Sequence, residues 1–480
     1  MRTIRLYLSA LLFGVFLTPT QARADGALTL EDAVRQALTN NERALKAPLR
    51  VEVAEGQLDR ARTAFLPTLS ASATGQLHPA DKNSRVVAGT GLVQLNQPLF
   101  NLPAYPLYSQ AKHQLESERF GAMQDKRLVA FDTARAFLLV LNNQRVLEAA
   151  KQRLERARVV EQTADSRAKA ALASSNDATL ARVDTATASR DVAQAEGALA
   201  RAYVQLSFLV GKQVSGTLAD PDRTMRAAES GAFRSDDVLH LAESRRPDIR
   251  SAEERTAALR AAAKEPLYRL APTLSLSGQV RLTADPIAPD KGHDESAQLT
   301  LTWNIYDAGV RYADRRVRLA QADSQALDEK LLRRSIAADV GVSLASLKAA
   351  REAYRFSGEA VEAARQNTVE TTNLYNQGLV RALELVTANS RRFDAEVNRE
   401  TARLGVQQAY LDLRFALGLD PAEDEGEKIG ASPPPPPPPA TPQPTGAMPS
   451  QAPTVAKTQP MQAAPNARPE KPVVVSGVKP

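Results

Sequence analysis

The chain has 480 residues, enough for two or three ordinary domains; 43% are hydrophobic, 24% charged and only 5% aromatic. It has no cysteine, which excludes disulfides, thiolate metal sites, iron–sulfur clusters, Cys nucleophiles and an acylated N-terminal Cys. Four scattered histidines (His78, His113, His240, His293) offer no helical metal pair, and a formal charge of +6, which includes Arg2, Arg5 and Arg23 of the leader, is too even to point to nucleic acid.

Residues 1–24 read as a secretory signal. A basic start is followed by an apolar run, Leu6 to Leu17, too short to span a bilayer, and by an Ala22-Arg23-Ala24 cleavage site, so the mature chain is expected to begin at Asp25. No later stretch reaches 18 consecutive apolar residues, so no transmembrane helix is predicted. A helix is expected from Leu30 to Ala64, kinked at Pro48, followed by strands at about 68–77 and 90–99 around a polar loop, 78–89. Residues 107–220 contain no proline and suit long helices. Asp236 to Glu265 reads as a second helix, kinked at Pro247, before strands at about 273–282 and 297–305 around a loop, 283–296. A second proline-free stretch covers 290–420. The remainder, 421–480, ends with 16 prolines in its last 48 residues and reads as a disordered, partly polyproline II tail.

The ordered part repeats itself. FLPTLSASA from Phe65 returns as LAPTLSLSG from Leu270, and LNQPLFN from Leu95 as LTWNIYD from Leu301. YVQLSFLVG, ending at Gly211, returns as YLDLRFALG, ending at Gly418. Order and spacing hold throughout, so we read two units, 25–220 and 221–420, each running helix, strand, strand, long helix, long helix.

The strands alternate with period two. Ser70, Ser72 and Gln76 oppose Leu69, Ala71 and Ala73; Ser275, Ser277, Gln279 and Arg281 oppose Leu274, Leu276 and Val280; Thr300, Thr302 and Asn304 oppose Leu299, Leu301 and Trp303. Three features favour a membrane barrel over an ordinary half-buried sheet. The strands are about 9–11 residues long, the polar face is small and nearly uncharged, and the aromatics Phe100, Trp303 and Tyr306 gather at one end as an interfacial girdle. The named polar residues would line its lumen. Four strands cannot close a barrel, and lipid does not tolerate an open edge, so several chains must join. In the helical stretches Val140, Leu147 and Leu154 recur every seven residues, with Ala150 and Ala157 between them. That is a coiled-coil seam.

LTLEDAVRQALTNN after the leader, LPTLSAS and APTLSLS, LNQPLFN and LTWNIYDAG, LYNQG at Leu374, and the closing SFLVG and RFALG resemble the TolC family of outer-membrane efflux proteins from about Leu28 to Gly418. The resemblance implies a mostly α-helical homotrimer. Twelve strands, four per chain, would form one transmembrane β-barrel in outer-membrane lipid, continuous with a periplasmic α-helical barrel. The trimer would be the passive exit duct of a tripartite efflux or type I secretion system, opened by a periplasmic adaptor and an inner-membrane pump. It implies no enzyme activity and no cofactor. Family members carry acidic residues six and nine positions after the glycine of a Tyr-x-x-Gly motif at the periplasmic gate. Tyr375 and Gly378 match that motif, Glu384 stands at the first acidic position and Thr387 departs from the second. Glu384 could equally lie on a solvated helix face. Unit one lacks the matching Tyr and Gly, and its turn is expected to differ. The alternative is a periplasmic coiled-coil adaptor or scaffold, in which the alternating segments would pack as a soluble sandwich.

Overall fold

A computed structural model describes residues 27–81, 84–230, 235–284 and 292–421. The leader and the proline-rich tail lie outside them.

Thr29 begins α1 (Leu30–Asn40), its Oγ1 accepting from the Asp32 N–H at 3.2 Å. Asn41 ends α1 and opens α2 (Glu42–Arg62) by accepting from the Arg43 N–H at 2.9 Å. The single helix expected over 30–64 is therefore two helices, and the break falls at Asn41. Pro48 sits inside α2. A proline removes one helical hydrogen bond, whereas Asn41 caps the start of α2 and also ties its Nδ2 to the Leu209 carbonyl at 2.9 Å. In unit two, α5 (Asp222–Ser230) and α6 (Ser235–Arg245) precede α7 (Pro247–Ala262), and Pro247 opens α7, a position that needs no N–H partner. A short α8 (Glu265–Tyr268) follows.

The four strands form one antiparallel sheet in chain order: β1 (Thr68–Asp81), β2 (Ser84–Phe100), β3 (Thr273–Ala284) and β4 (His293–Thr302). Three expectations need correction. Most of the loop expected over 78–89 is strand, because β1 and β2 keep pairing after their apolar alternation fades. β4 begins at His293, four residues before the expected 297, since Asp294 and Glu295 pair with Arg281 and Val280. It also ends at Thr302, which leaves Asn304 outside the sheet. The Asn304 and Ile305 carbonyls accept from the Arg311 guanidinium at 2.9 and 3.4 Å instead of extending the ladder.

Each strand pair leads into a long helical hairpin: α3 (Ala104–Lys169) with α4 (Ser175–Val210), and α9 (Val310–Asn376) with α10 (Ala382–Ala416). At 66 and 67 residues, α3 and α9 are each roughly 100 Å long at 1.5 Å per residue. Helices this long are stabilised by packing along neighbours. Phe131, Phe137, Leu138 and Leu206 centre one core, and Ile336, Leu347, Val406 and Leu413 centre its repeat. The duplication extends to backbone detail. Gly211 and Gly418 each end the second long helix at φ +73° and +78°. A Cβ on Gly211 would stand 2.9 Å from Asn40 Cβ, and one on Gly418 would stand 3.0 Å from the Arg245 backbone, so both positions demand glycine.

Candidate functional site

The sheet is the first part of the site, and register sets its chemistry. Ser70 pairs with Gln94, Gln94 with Gln279, and Gln279 with Ser296. Thr68, Asn96, Ser277 and Gln298 make a second rung, and Ser275 faces Thr300 while Thr273 faces Thr302. Ser72, Leu92, Arg281 and Asp294 make a third, in which Leu92 is the one apolar intrusion. The alternate residues form the other, mostly apolar face: Leu69 beside Leu95, Ala71 beside Val93, Val93 beside Val280 and Leu276 beside Leu299, with Gln97 beside Leu276 and Glu295 beside Val280 as its polar members. Pairing thus brings the polar sequence positions together on one side of all four strands, Asn304 excepted. It adds Asp294, which the sequence reading missed because charge masks strand propensity there, directly beside Arg281. Gln76 continues the β1 side, paired with Ala88.

Neither face is covered by a helix of the described residues, and Leu69, Leu276, Leu299 and Leu301 are exposed. The outer edges of β1 and β4 have no strand partner among the described residues. At the helix end of the sheet Phe100 pairs with Leu274, itself paired with Leu301, on the apolar face. Trp303 follows β4, its Nε1 donating to the Leu270 carbonyl at 2.9 Å, and Tyr306 is 84% exposed. Arg311 anchors this junction through Asp307 at 2.8 Å.

The far end of the long hairpins is the second part. Gly378, at φ +77°, ends α9, and the Leu379 N–H donates to the Leu374 carbonyl at 2.9 Å. The expectation of a different turn in unit one is corrected here. Ala171 adopts φ +55° and the Leu172 N–H donates to the Arg167 carbonyl at 2.8 Å, so the same turn is made without glycine. Glu384 lies exposed in the first turn of α10, six residues after Gly378, and Asp177 occupies the first turn of α4, six residues after Ala171. Alignment on the left-handed residue would have found Asp177. Thr387 bonds to the Leu383 carbonyl at 2.7 Å.

Tyr375 is buried where the two hairpins meet, with Val160, Ala164, Ala178, Ala181, Ala382 and Leu385. Its burial pushes the phenol above its usual pKa. Arg167 stacks over the Tyr375 ring at 4.6 Å and donates to the Tyr375 and Asn376 carbonyls at 2.7 and 2.9 Å. The end of α3 in unit one thereby holds the end of α9 in unit two.

Two repeats of strand pair and long hairpin define a known family. The sequence model of the outer membrane efflux proteins matches residues 33–212 and 238–419. The chain belongs to that family. Similar folds are found in the transmembrane channel CusC (TM-score 0.71, 17% identity, 81% of this chain and 92% of that one). They are found too in CmeC of Campylobacter jejuni (0.69, 16%, 88% and 95%) and in the open state of MtrE from Neisseria gonorrhoeae (0.69, 21%, 81% and 89%). No curated protein matches the sequence. An outer membrane efflux protein is a channel, not an enzyme. No helix among the described residues is long and apolar enough to cross a membrane.

Proposed function

We propose that three copies of this efflux protein form one outer-membrane exit duct, a twelve-stranded barrel continued by a periplasmic helical barrel. The observation that carries this reading is the sheet: among the described residues it is uncovered on both faces and open at both edges, and it is polar on one side and mostly apolar on the other. In lipid each unpaired edge group costs several kcal/mol, so the sheet has to close on sister copies. The apolar face then meets lipid, Phe100, Trp303 and Tyr306 sit at its periplasmic rim, and the Ser70, Ser72, Gln76, Ser275, Ser277, Gln279, Arg281, Thr300 and Thr302 side lines the lumen. The adaptor or scaffold reading needs those same faces packed against each other, and they are exposed.

The tip is the gate. Arg167 ties the turn at Tyr375 and Gly378 to unit one. An adaptor driven by an inner-membrane pump opens the duct by drawing the two hairpins apart. Glu384 and Asp177 rim the entrance, and their negative potential favours cations. Export energy comes from the pump. Planar-bilayer recording tests the reading. The purified protein should conduct ions through a narrow pore, and a protein that never inserts would remove the assignment.

A further inference from the structure

Next to the sheet, α2, α3, α7 and α9 pack side by side in that order, and the layer they make has two sides. Pairings show which residues share a side. Across one of them, Arg50 of α2 reaches Glu118 and Asp125 of α3, both at 2.8 Å. On the other, Arg119 of α3 reaches Glu55 of α2 at 3.0 Å, and the Tyr105 and Tyr108 rings meet the Phe65 ring at centroid distances of 4.8 and 6.3 Å. Gln97, from the mostly apolar face of the sheet, donates to the Phe65 carbonyl at 3.2 Å. The Tyr105 side therefore continues the face that the duct reading turns toward lipid.

Helical spacing carries that side along each helix. On α3, Lys112 lies seven residues from both Tyr105 and Arg119. On α7, Glu254 bonds His113, the neighbour of Lys112, at 2.7 Å, and Ala257, Arg260 and Lys264 follow it at steps of three and four. On α9, Arg333 reaches Glu253, and steps of three, seven, seven and four lead back from it through Lys330 and Asp323 to Arg316 and Tyr312. Arg318 donates to the Ala262 carbonyl at 2.9 Å, which sets Arg316 and Lys264 at one level. That level is about 9 Å along α9 from its start at Val310, at 1.5 Å per residue.

The acids around this level are taken. Asp59 pairs with Arg62 at 2.8 Å, Asp307 with Arg311 at 2.8 Å and Asp314 with Arg269 at 2.9 Å. The buried Glu265 holds Arg269 at 2.6 Å and Arg318 at 3.1 Å. Asp323 lies two turns farther from the sheet than Arg316. Lys112, Arg260, Lys264 and Arg316 are exposed and have no side-chain partner among the described residues. Tyr105 and Tyr312 beside them are more than half exposed, as is Trp303 at the end of the sheet. Four unbalanced cations per chain set among amphipathic rings have an anionic membrane surface as their complement.

We propose that this band binds the phosphate groups of anionic phospholipids in the leaflet that borders the periplasm. Trp303 and the tyrosines sit at the boundary between apolar chains and headgroups, and the four cations reach the phosphates just beyond it. The inference rests on the reading that the sheet lies in lipid, and it adds a headgroup preference that the sheet by itself does not give.

Trp303 is the chain's single tryptophan, so its fluorescence reports the lipid at this rim. The full-length protein is reconstituted in phosphatidylcholine vesicles that carry a dibrominated share of either phosphatidylcholine or phosphatidylglycerol, and quenching gives the relative affinity. Phosphatidylglycerol should be favoured roughly fivefold, the factor that one basic residue supplies near an anionic surface. In about 1 M salt, where the Debye length is about 3 Å, the ratio should fall toward one. The triple variant Arg260→Gln, Lys264→Gln, Arg316→Gln should lose most of the preference while quenching by brominated phosphatidylcholine stays. Equal quenching by the two lipids in the unaltered protein overturns the headgroup site and leaves the duct intact. A preference that the triple variant keeps belongs to other groups and overturns the site as well. Absence of quenching by either lipid overturns the membrane reading itself.

Discussion

A residue with a Cβ held in the left-handed region costs about 1–2 kcal/mol, and Ala171 bears that cost at the tip of unit one while Gly378 avoids it at the tip of unit two. Ala171→Gly should therefore raise stability by about 1 kcal/mol, and Gly378→Ala should lower it by a similar amount, read as opposite shifts of the unfolding midpoint. Nothing in AKAALASSND advertised that turn, because a left-handed alanine has no sequence signature. The Tyr375–Gly378 turn was legible because glycine marks it. Arg167→Ala removes two charge-assisted bonds and a ring contact from the hairpin tip, the proposed gate. Its open probability in planar bilayers should rise several-fold, and unchanged conductance would show that the contact is not a latch. Glu384→Gln should reduce cation preference, seen as a reversal-potential shift in a salt gradient, with Asp177 retaining part of the effect. Asp184 illustrates a pH dependence. Desolvation lifts its carboxyl above the usual range despite Arg153 beside it. The native state thus holds that proton more tightly than the unfolded chain, so Asp184's contribution favours folding most in acid and declines as pH rises from about 3.9 through its raised value.

Among the elements, the strands were legible by face and not by length. Alternation placed Ser70, Ser277 and Thr300 on one side because a membrane barrel needs two unlike solvents on its two faces. It stopped short at Asp294 and Glu295 because strand ends that leave lipid have no reason to stay apolar. The break between α1 and α2 was hidden for a different reason. Proline is a conspicuous signal, yet the cap at Asn41 decides the boundary through bonds that sequence pattern does not display. Packing between long helices depends on buried charge that periodicity treats as surface. Arg153 is buried on α3, bonding Asp184 at 3.1 Å and also Asp191 on α4, with the Phe393 ring of α10 5.0 Å away. Arg153→Ala leaves the buried Asp184 carboxylate without its cation, while Asp191 keeps Arg190, and should cost about 3–5 kcal/mol. Arg182, whose pair with Asp165 is exposed, should cost less than about 1 kcal/mol when replaced by alanine. Thermal unfolding of the two variants, compared side by side, checks the ranking, and equal midpoints would contradict it.

At the scale of the molecule, duplication and strand count were readable in the sequence, and together they required more than one chain. The contacts between chains were not readable, since exposed Phe208 and exposed Leu331 look alike until the fold shows that Phe208 repeats the half-buried Phe415. Proline placement marked the long helical hairpins correctly because nothing else in the chain tolerates more than a hundred residues without a break. The account predicts that the duct exists only as an assembly. Native mass spectrometry of the protein extracted from outer membranes in detergent measures this directly. Three mature chains in one particle is the expected result, and a single chain that stays in solution without detergent would contradict it.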